Sequence, residues 1–393
     1  MVLPIQGFRF AAVSSGIRKD GRIDTALAVA DGAVTAAGVV TRNLVKAAPI
    51  LIASERLRGG SLRAVLVNSG CANACTGELG LAAARRATGA VASELGVAEE
   101  LVVPASTGVI GVVLPGEKIA ARARDLVGAL SPTGIDDFAL AICTTDRWPK
   151  VAEATVDAPG GPVRVLGIGK GAGMIHPDVG PPQATMLVFL FTDAQVGQPE
   201  LQALLGTATD RTFNAVTVDG DTSTNDLVLA LASGASGVTP PPAALGAAIE
   251  QVCRELSRSM VKDGEGAKHF VDITVSGLAT ESDARTVART VATSLLVKTA
   301  LFGNDANWGR LLAAAGRAGV AFDPREAGVS IAGVEIVRAG VTLGAELEAE
   351  AQKRMAAETY AVELRLGRGP GRFTYVTSDL GHGYVDVNAG YRS

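Results

Sequence analysis

Two kinds of apolar periodicity alternate along this chain, and the alternation restricts the fold more than any other feature of the sequence. Over 284–295 the apolar residues recur at i, i+3, i+4 and i+7, and a similar stripe runs over 245–260, which is typical of helices with one face in the core. Apolar and polar residues alternate over 271–275, whereas 186–191 is a continuous apolar run; both patterns are typical of strands. Helices and strands are mixed throughout, which predicts an α/β fold.

The ends of these helices carry their own signals. We expect Ser282 or Asp283 to cap the helix over 284–295. The helix over 245–260 follows three prolines and should end before Gly264. Weaker helical patterns cover 79–95, 117–130, 198–210 and 345–358.

Composition sets the broad class. With 393 residues, of which 48% are hydrophobic, the chain can bury a large core in two domains or lobes. A net charge of −4 without a basic block argues against nucleic acid as a partner. No run reaches the roughly 20 apolar residues of a membrane span, and four cysteines are too few for a disulfide scaffold. We therefore expect a soluble cytoplasmic protein with no membrane partner.

Segment 163–191 admits two interpretations, of which nucleotide binding is the weaker. Gly167, Gly169 and Ala172 fit the loose G-x-G-x-x-G/A pattern of dinucleotide-binding loops. That pattern requires a helix immediately afterwards, whose N-terminus holds the pyrophosphate. Prolines at 177, 181 and 182 exclude such a helix.

The second interpretation starts from Ala184 and Thr185, where a Gly/Pro-rich loop meets an apolar strand. A threonine hydroxyl can attack the carbonyl that precedes it and form an ester that water opens, so that Thr185 becomes a new N-terminus. Its α-amino group, with a pKa of about 7.7–8.0, can then act as the base for its own hydroxyl, and Lys170 nearby would lower that pKa further. On spacing alone, a threonine that starts a strand is more often there for β-propensity.

A series of longer sequence motifs decides between these two interpretations. Lys170-Gly-Ala-Gly-Met-Ile-His-Pro177 leads to Ala184-Thr-Met-Leu187, and this segment resembles the self-cleavage segment of the ornithine acetyltransferase (glutamate N-acetyltransferase) family. The resemblance runs the length of the chain. Further matching words lie, in the same order as in the family, at 67–70, 73–77, 106–111, 144–146, 149–150, 219–226, 263–267, 303–305, 307–310 and 388–393.

The resemblance implies a role for each matching position. Thr185 would be the nucleophile, freed by autocatalytic cleavage between Ala184 and Thr185. Thr107 and Gly108 would form the oxyanion hole. The substrate-binding positions would be Thr144, Lys170, Thr185, Glu265, Asn388 and Ser393.

Cleavage would divide the chain into an alpha fragment, 1–184, and a beta fragment of 209 residues, 185–393. The alpha fragment would carry the oxyanion hole and the Lys170 segment. We expect a layered α-β-β-α sandwich of two closely packed lobes, self-cleaved into two chains, with two copies of each fragment in a heterotetramer, as the resemblance suggests.

The reaction implied is a ping-pong acetyl transfer in arginine biosynthesis. Thr185 would take the acetyl group from N2-acetylornithine, release ornithine, and pass the acetyl group to L-glutamate to give N-acetylglutamate. No cofactor is required for this exchange. Whether acetyl-CoA also serves as a donor stays open at this point.

The chain departs from the family pattern in three places. The loop between Pro177 and Ala184 is longer than the compact form typical of the family. Lys268 and His269 stand where threonine and lysine are usual. Ser393 stands where the family more often ends in threonine and keeps the hydroxyl.

Metal and histidine-based sites are not expected. Asp219 and Asp221 match the first and third positions of a calcium loop, but the sixth and twelfth positions lack the required glycine and glutamate. Cys71 and Cys75 have no second Cys or His pair nearby in sequence. His176, His269 and His382 could suggest a Ser/Thr–His hydrolase, but the resemblance gives His176, which lies in the active segment, no catalytic role, and histidines of this kind are interpreted as structural or surface residues.

Two alternatives of different kinds remain. A self-processing aminopeptidase or amidohydrolase would use the same Thr185 but pass the acyl group to water. A non-enzymatic amino-acid-binding protein would keep the Ala184–Thr185 bond intact.

Overall fold

The protein is described by a computed structural model that covers residues 3–177, the backbone of 179–180, and 186–390. Ala184, Thr185 and Ser393 lie outside the described residues. The strands are β1 Phe8–Val13, β2 Thr25–Thr41, β3 Ser61–Asn68, β4 Val102–Ser106, β5 Lys150–Ala158, β6 Gly161–Lys170, β7 Val179–Gly180, β8 Leu187–Thr192, β9 Val216–Thr217, β10 Leu227–Ala232, β11 Phe270–Gly277, β12 Gly328–Ile331, β13 Val334–Arg338, β14 Val341–Thr342, β15 Thr359–Arg365 and β16 Gly369–Ser378. The helices are α1 Ala48–Leu57, α2 Gly77–Leu95, α3 Gly116–Ala121, α4 Ala123–Gly128, α5 Ile135–Ala141, α6 Gln198–Arg211, α7 Pro242–Lys262, α8 Glu281–Ala292, α9 Leu295–Phe302, α10 Trp308–Gly316, α11 Ala345–Arg354 and α12 His382–Gly390.

The described chain divides into two compact units. The first contains the described residues up to Asn214 together with Asp221–Met260, and the second contains Ala215–Gly220 and the described residues from Val261 onward. The predicted fragments 1–184 and 185–393 are defined by a cut in the chain, not by packing, and they stay a prediction.

The first unit is built on a mixed sheet with strand order β4-β3-β2-β10-β8-β6-β5, in which β1 and β7 also pair with β2. β8 runs parallel to β10 and antiparallel to β6, and β10 runs antiparallel to β2. This arrangement places β8 in the interior of the sheet.

Helices cover both faces of this sheet. On β8, Phe189 and Phe191 pack with α1 and α5 residues on one face, whereas Val188 and Leu190 pack with α6 and α7 residues on the other. Because neither face meets water, both sets of alternating positions must be apolar. This explains the continuous apolar run seen in the sequence.

The second unit contains a sheet with strand order β14-β13-β12-β15-β11-β16-β9. Val271, Ile273 and Val275 of β11 share one buried cluster with residues of α8, such as Val287 and Val291. The apolar residues of the period-two strand pattern and those of the helical stripe that follows it therefore pack against each other in one core.

The mixed α/β prediction is confirmed, with two sheets packed against helices. The predicted helices over 79–95, 198–210 and 245–260 correspond to α2, α6 and α7, and the strand patterns correspond to β8 and β11. The helix over 345–358 ends earlier, at Arg354. The helix over 117–130 is two short helices, because Arg122 between them leaves helical geometry at φ −103° and ψ 3°.

Two details at α8 were predicted wrongly. The cap is Thr280, whose side chain accepts a hydrogen bond from the Asp283 N–H at 3.1 Å, and is neither Ser282 nor Asp283. Leu295 does not continue the buried stripe; it is 65% exposed and begins α9. Thr293 and Ser294 separate α8 from α9, and the extended geometry of Ser294, with ψ 117°, ends the helix although the apolar periodicity continues.

Among the described residues, no helix combines the length and apolarity needed to cross a membrane.

Candidate active site

Lys170 brings three of the predicted site residues together. It is the last residue of β6 and is buried. Its Nζ donates hydrogen bonds to Thr107 Oγ1 at 3.1 Å and to Thr144 Oγ1 at 2.9 Å. Thr107 follows β4 and Thr144 follows α5, so the ammonium joins the ends of three separate elements.

Asp146 lies two residues after Thr144 and faces the same ammonium. Its side chain is fully buried, and its Oδ2 lies 4.0 Å from Lys170 Nζ. Oδ1 accepts hydrogen bonds from Lys150 Nζ and from the Gly171 N–H, both at 2.7 Å. Burial alone would raise the pKa of this carboxyl, but Lys170 and Lys150 outweigh it and hold the pKa at about 2. Asp146 is therefore an anion at neutral pH.

The turn at Thr107 and Gly108, which is predicted to form the oxyanion hole, carries hydrogen-bond donors. The Thr107 N–H donates to Asn68 O at 3.0 Å and is not available to another acceptor. The hydrogen of the Thr107 hydroxyl has no such acceptor in the described ranges of the chain. Because an ammonium can only donate, the hydroxyl accepts from Lys170 and keeps its own hydrogen. In the part of the chain that the structure describes, the Gly108 N–H makes no hydrogen bond. Two neighbouring donors, the Thr107 hydroxyl and the Gly108 N–H, thus have no acceptor among the described residues.

Gly108 is fixed by two independent constraints. Its φ of +128° belongs to the region that favours glycine. A Cβ at this position would also lie 2.4 Å from the carbonyl carbon of Gly70 and 2.6 Å from Cys71 N. The turn therefore rests directly on the backbone of the 69–72 loop, and a side chain would lift it off.

A network of amide side chains holds that loop. Asn225 Nδ2 donates to Ala72 O at 2.6 Å and to Ser106 O at 2.9 Å. Asn68 receives a hydrogen bond from Ser106 Oγ at 2.6 Å and donates to Cys71 O at 2.8 Å. All of these polar side chains are buried, so each hydrogen bond contributes to a single arrangement of the loop.

Asp226 is a second carboxyl close to Lys170, and its pKa is shifted in the opposite direction from that of Asp146. It is fully buried, and this burial raises its pKa well above the usual range although Ser223 and Lys170 act against the shift. Its Oδ2 has no hydrogen-bond partner among the described residues. The pKa values of these two carboxyls are therefore shifted in opposite directions by their surroundings.

The described chain approaches the predicted cleavage point from its C-terminal side. Leu187 is the register partner of Lys170 in the β6–β8 ladder. Met186, which follows Thr185 in the sequence, accepts a hydrogen bond from the Leu227 N–H at 2.7 Å. The first described residue after the predicted cut is therefore anchored beside the strand that carries Lys170.

In the second unit, Glu265 and Asn388 are in direct contact. Asn388 Nδ2 donates to Glu265 Oε2 at 2.8 Å and to Tyr384 O at 3.0 Å. Tyr384 Oη in turn donates to Asp219 Oδ2 at 3.3 Å. These contacts tie α12, which carries Asn388, to the loop that carries Glu265.

The residues that depart from the family pattern also have structural partners in this unit. The N–H groups of Lys268 and His269 both donate to Asp379 Oδ1, at 2.9 and 3.1 Å. His269 Nδ1 lies 3.0 Å from Ala357 O, and Lys268 Nζ lies 4.5 Å above the Phe302 ring. The structural interpretation of His269 agrees with these contacts.

Comparison with known proteins identifies the family. The ArgJ family model matches residues 9–393, almost the entire chain. The chain belongs to the ArgJ family. The ArgJ proteins of Geobacter sulfurreducens and Nitratidesulfovibrio vulgaris, both named arginine biosynthesis bifunctional proteins, are 45% and 46% identical to it. The alignments cover 99% of this chain in both cases, and 100% and 99% of the relatives.

Solved ArgJ structures match in part. A chain of ArgJ from Bacillus halodurans is 36% identical, with a TM-score of 0.50, and the match covers 52% of this chain and 98% of that chain. The ornithine acetyltransferase of Mycobacterium tuberculosis, solved in complex with ornithine, is 39% identical, with a TM-score of 0.40 and coverage of 45% and 93%.

The structure adds ArgJ residues that the sequence alone did not single out. Asp146, Asn225 and Asp226 lie inside the words that carried the resemblance, but their contacts are with residues far away in the chain. The signal that could have found them is their position: they are polar or charged residues within motifs that match the family. Thr185, Ala184 and Ser393 lie outside the described residues, so their roles stay predictions.

Proposed function

We propose that this chain is a self-cleaving acetyltransferase that moves the acetyl group of N2-acetylornithine to L-glutamate through an acetyl-Thr185 ester, as a step of arginine biosynthesis. The observation that carries the proposal is the hydrogen bonding of Lys170 Nζ to the hydroxyls of Thr107 and Thr144. It lies beside the unoccupied Gly108 N–H in a chain of the ArgJ family.

Thr107 and Gly108 would stabilise the oxyanion. When a hydroxyl attacks a carbonyl, negative charge develops on the carbonyl oxygen, and two preorganised donors stabilise it. The Lys170 ammonium polarises the Thr107 hydroxyl and makes it a better donor. The same pair of donors serves both self-cleavage and acetyl transfer, since both reactions pass through a tetrahedral intermediate.

Thr185 would supply both nucleophile and base. After the cut, its α-amino group would take the hydroxyl proton during attack and return it to the departing amine. The register of Leu187 with Lys170 supports this role, because it anchors the chain two residues after Thr185 beside the ammonium.

The length of a solved relative supports self-cleavage. The match to the Bacillus halodurans ArgJ chain covers 98% of that chain but only 52% of this one. A cut between Ala184 and Thr185 would leave fragments of 184 and 209 residues, each about half of the chain. A half-length chain is what such a cut would produce.

Donor and acceptor are both α-amino acids, so one set of recognition groups can bind them in turn. We assign to Glu265 the substrate ammonium and to Asn388, which donates to Glu265, the orientation of that carboxylate. Lys170 and Thr144 complete the set proposed for substrate, together with Ser393. The scheme requires neither metal nor coenzyme. Acetyl-CoA as a second donor, the tetramer of two alpha and two beta fragments and a cytoplasmic location belong to the same proposal.

The first test is the intact mass of the purified protein together with its activity. We expect two fragments of 184 and 209 residues, and N-acetylglutamate when N2-acetylornithine and glutamate are supplied. Thr185→Ala should leave one full-length chain without transfer activity. Thr207→Ala, at an exposed helical position, is the matched control and should still be cut.

Three outcomes would argue against the proposal. Acetate without N-acetylglutamate would indicate hydrolysis of the aminopeptidase kind. An uncut chain that binds amino acids without turnover would indicate a binding protein. An uncut chain that transfers acetyl groups at full rate would remove Thr185 as an N-terminal nucleophile.

A further inference from the structure

Asp146 connects the loop before β5 to the end of β6. Its Oδ1 accepts from Lys150 Nζ and from the Gly171 N–H, each at 2.7 Å. Its Oδ2 accepts from the Thr144 N–H at 3.1 Å and faces Lys170 Nζ at 4.0 Å. The side chains of Asp146 and Lys150 are 0% exposed, so none of these contacts competes with solvent.

Two explanations of the role of the Asp146 carboxylate differ in the function that they give to Oδ2. If Asp146 only neutralised the buried Lys150, the contact through Oδ1 would be sufficient. Oδ2, however, is directed at Thr144 and Lys170, whose side chains also hydrogen-bond to each other at 2.9 Å. The Asp146 carboxylate thus binds the backbone N–H of Thr144 and lies opposite the ammonium of Lys170.

We propose that Asp146 is a positioning residue for acetyl transfer, which acts by fixing the Lys170 ammonium against the Thr107 hydroxyl. The inference rests on the proposed function. Without the carboxylate, the ammonium loses the anion opposite its two hydroxyl contacts, and the Gly171 N–H at the base of the same strand end loses its acceptor. The Thr107 hydroxyl is then no longer held as a polarised donor for the oxyanion.

The other titratable group that faces Lys170 does not replace Asp146. Asp226 is fully buried, and burial raises its pKa well above the usual range. Among the described residues, the carboxylate within 4.0 Å of Lys170 Nζ is that of Asp146. The Lys170 charge therefore depends chiefly on Asp146 for its counter-ion.

The test is a double-mutant cycle in a Lys150→Met background. That background removes the second buried ammonium, so that Asp146→Asn does not leave Lys150 as an uncompensated charge. Asp146→Asn, Lys170→Gln and the combination are added to it. The kcat and KM for acetyl transfer, expressed per cut chain, are compared with those of Lys150→Met, after a thermal melt has established that each protein is folded and its intact mass has established the fraction that is cut.

We expect each single substitution to lower kcat by about 100-fold, the size of a lost oxyanion-hole donor. The combination should lower kcat by about the same factor, because Asp146 acts through Lys170. KM should change less than kcat for Asp146→Asn. A purely structural role would produce a lower melting temperature with kcat unchanged.

Two results would overturn the inference: an unchanged kcat for Asp146→Asn, or losses that multiply to about 10,000-fold in the combination. If Lys150→Met does not fold, the same cycle in the unsubstituted chain measures the same coupling. The proposed function is tested separately by the unsubstituted protein. Its failure to transfer acetyl groups would reject that function, whereas normal transfer with multiplicative losses would reject only the role of Asp146.

Discussion

At the scale of single residues, the proposed oxyanion donors are the groups of the Thr107–Gly108 turn that have no acceptor among the described residues. The Thr107 N–H is bound to Asn68 O, so only its hydroxyl is available. Gly108 has a φ of +128° and no room for a Cβ. If the two donors form the oxyanion hole, as proposed, these constraints would hold them in place before substrate binds, which is what makes such donors effective.

A buried lysine in the second unit makes stability depend on pH. Lys298 of α9 is 2% exposed, and its Nζ donates to Thr377 Oγ1 at 2.8 Å and to Ser378 O. Burial lowers its pKa from 10.5 to about 7, although Asp379 and Asp219 act in the opposite direction. The folded state therefore binds this proton less tightly than the unfolded state does.

We predict that the free energy of unfolding rises with pH between about 7 and 10 because of Lys298. Below pH 7 both states carry the proton and the full cost of burying the charge is present. Above it, the folded lysine is neutral while the unfolded one stays charged until about 10.5. The slope is at most about 1.4 kcal/mol per pH unit. Urea unfolding at fixed protein concentration, at several pH values, measures it.

Lys298→Met should remove this slope, and Lys353→Met, at an exposed lysine of α11, should retain it. Parallel pH profiles for the unsubstituted protein and Lys298→Met would contradict the prediction.

At the scale of elements, α12 is positioned by a glycine that it packs against. Gly266 has a φ of +69°, and a Cβ there would lie 2.2 Å from Tyr384 N and 2.3 Å from the carbonyl carbon of Gly383. The first turn of α12 therefore contacts the backbone of the 263–267 loop directly. Asn388, about one turn further along the same helix, reaches Glu265 as a result of this approach.

We predict that Gly266→Ala raises the KM for N2-acetylornithine by about tenfold. The methyl group would displace α12 and lengthen the contact between Asn388 and Glu265, and a hydrogen bond to a charged group contributes about 1.5–3 kcal/mol. Steady-state kinetics with varied N2-acetylornithine measures the change.

Gly319→Ala is the matched control, since Gly319 also has a positive φ, +75°, but no atom within 4 Å of a Cβ. It carries the same backbone strain without a collision, so its KM should stay normal. Equal KM values for the two variants would show that α12 does not position the substrate site.

At the scale of the whole molecule, the strands of the two predicted fragments are interleaved. β8 and β10 belong to 185–393, yet they lie between β2 and β6 of 1–184 in the sheet of the first unit. The β10–β2 and β8–β6 ladders each join six residue pairs among the described residues. Cleavage before Thr185 would leave both ladders intact.

We therefore predict that the cut protein stays together until it is unfolded. Gel filtration without denaturant should give one peak that contains both fragments and elutes with the uncut Thr185→Ala variant. Denaturant should separate the fragments, because only then are the ladder hydrogen bonds and the apolar faces of β8 exposed to water. Fragments that elute apart under native conditions would contradict this.

The sequence by itself determined the local elements and the family. A helical or strand period is a property of neighbouring residues, so α2, α6, α7, β8 and β11 were predictable from the chain. The family words likewise pointed to Thr107, Gly108, Thr144 and Lys170. Local patterns failed at the Thr280 cap and at Leu295, where a few backbone angles decide the boundary.

Only the tertiary structure decided which of these residues meet. Asp146 binds Gly171 across 25 positions, and Asn225 binds Ser106 across 119. No period or spacing encodes such contacts, because they depend on the order of strands in the sheet and on which faces are buried. The neighbours of each carboxyl then set its pKa: Asp146 and Asp226 are both buried, but Lys170 and Lys150 lower the pKa of Asp146, whereas burial raises that of Asp226.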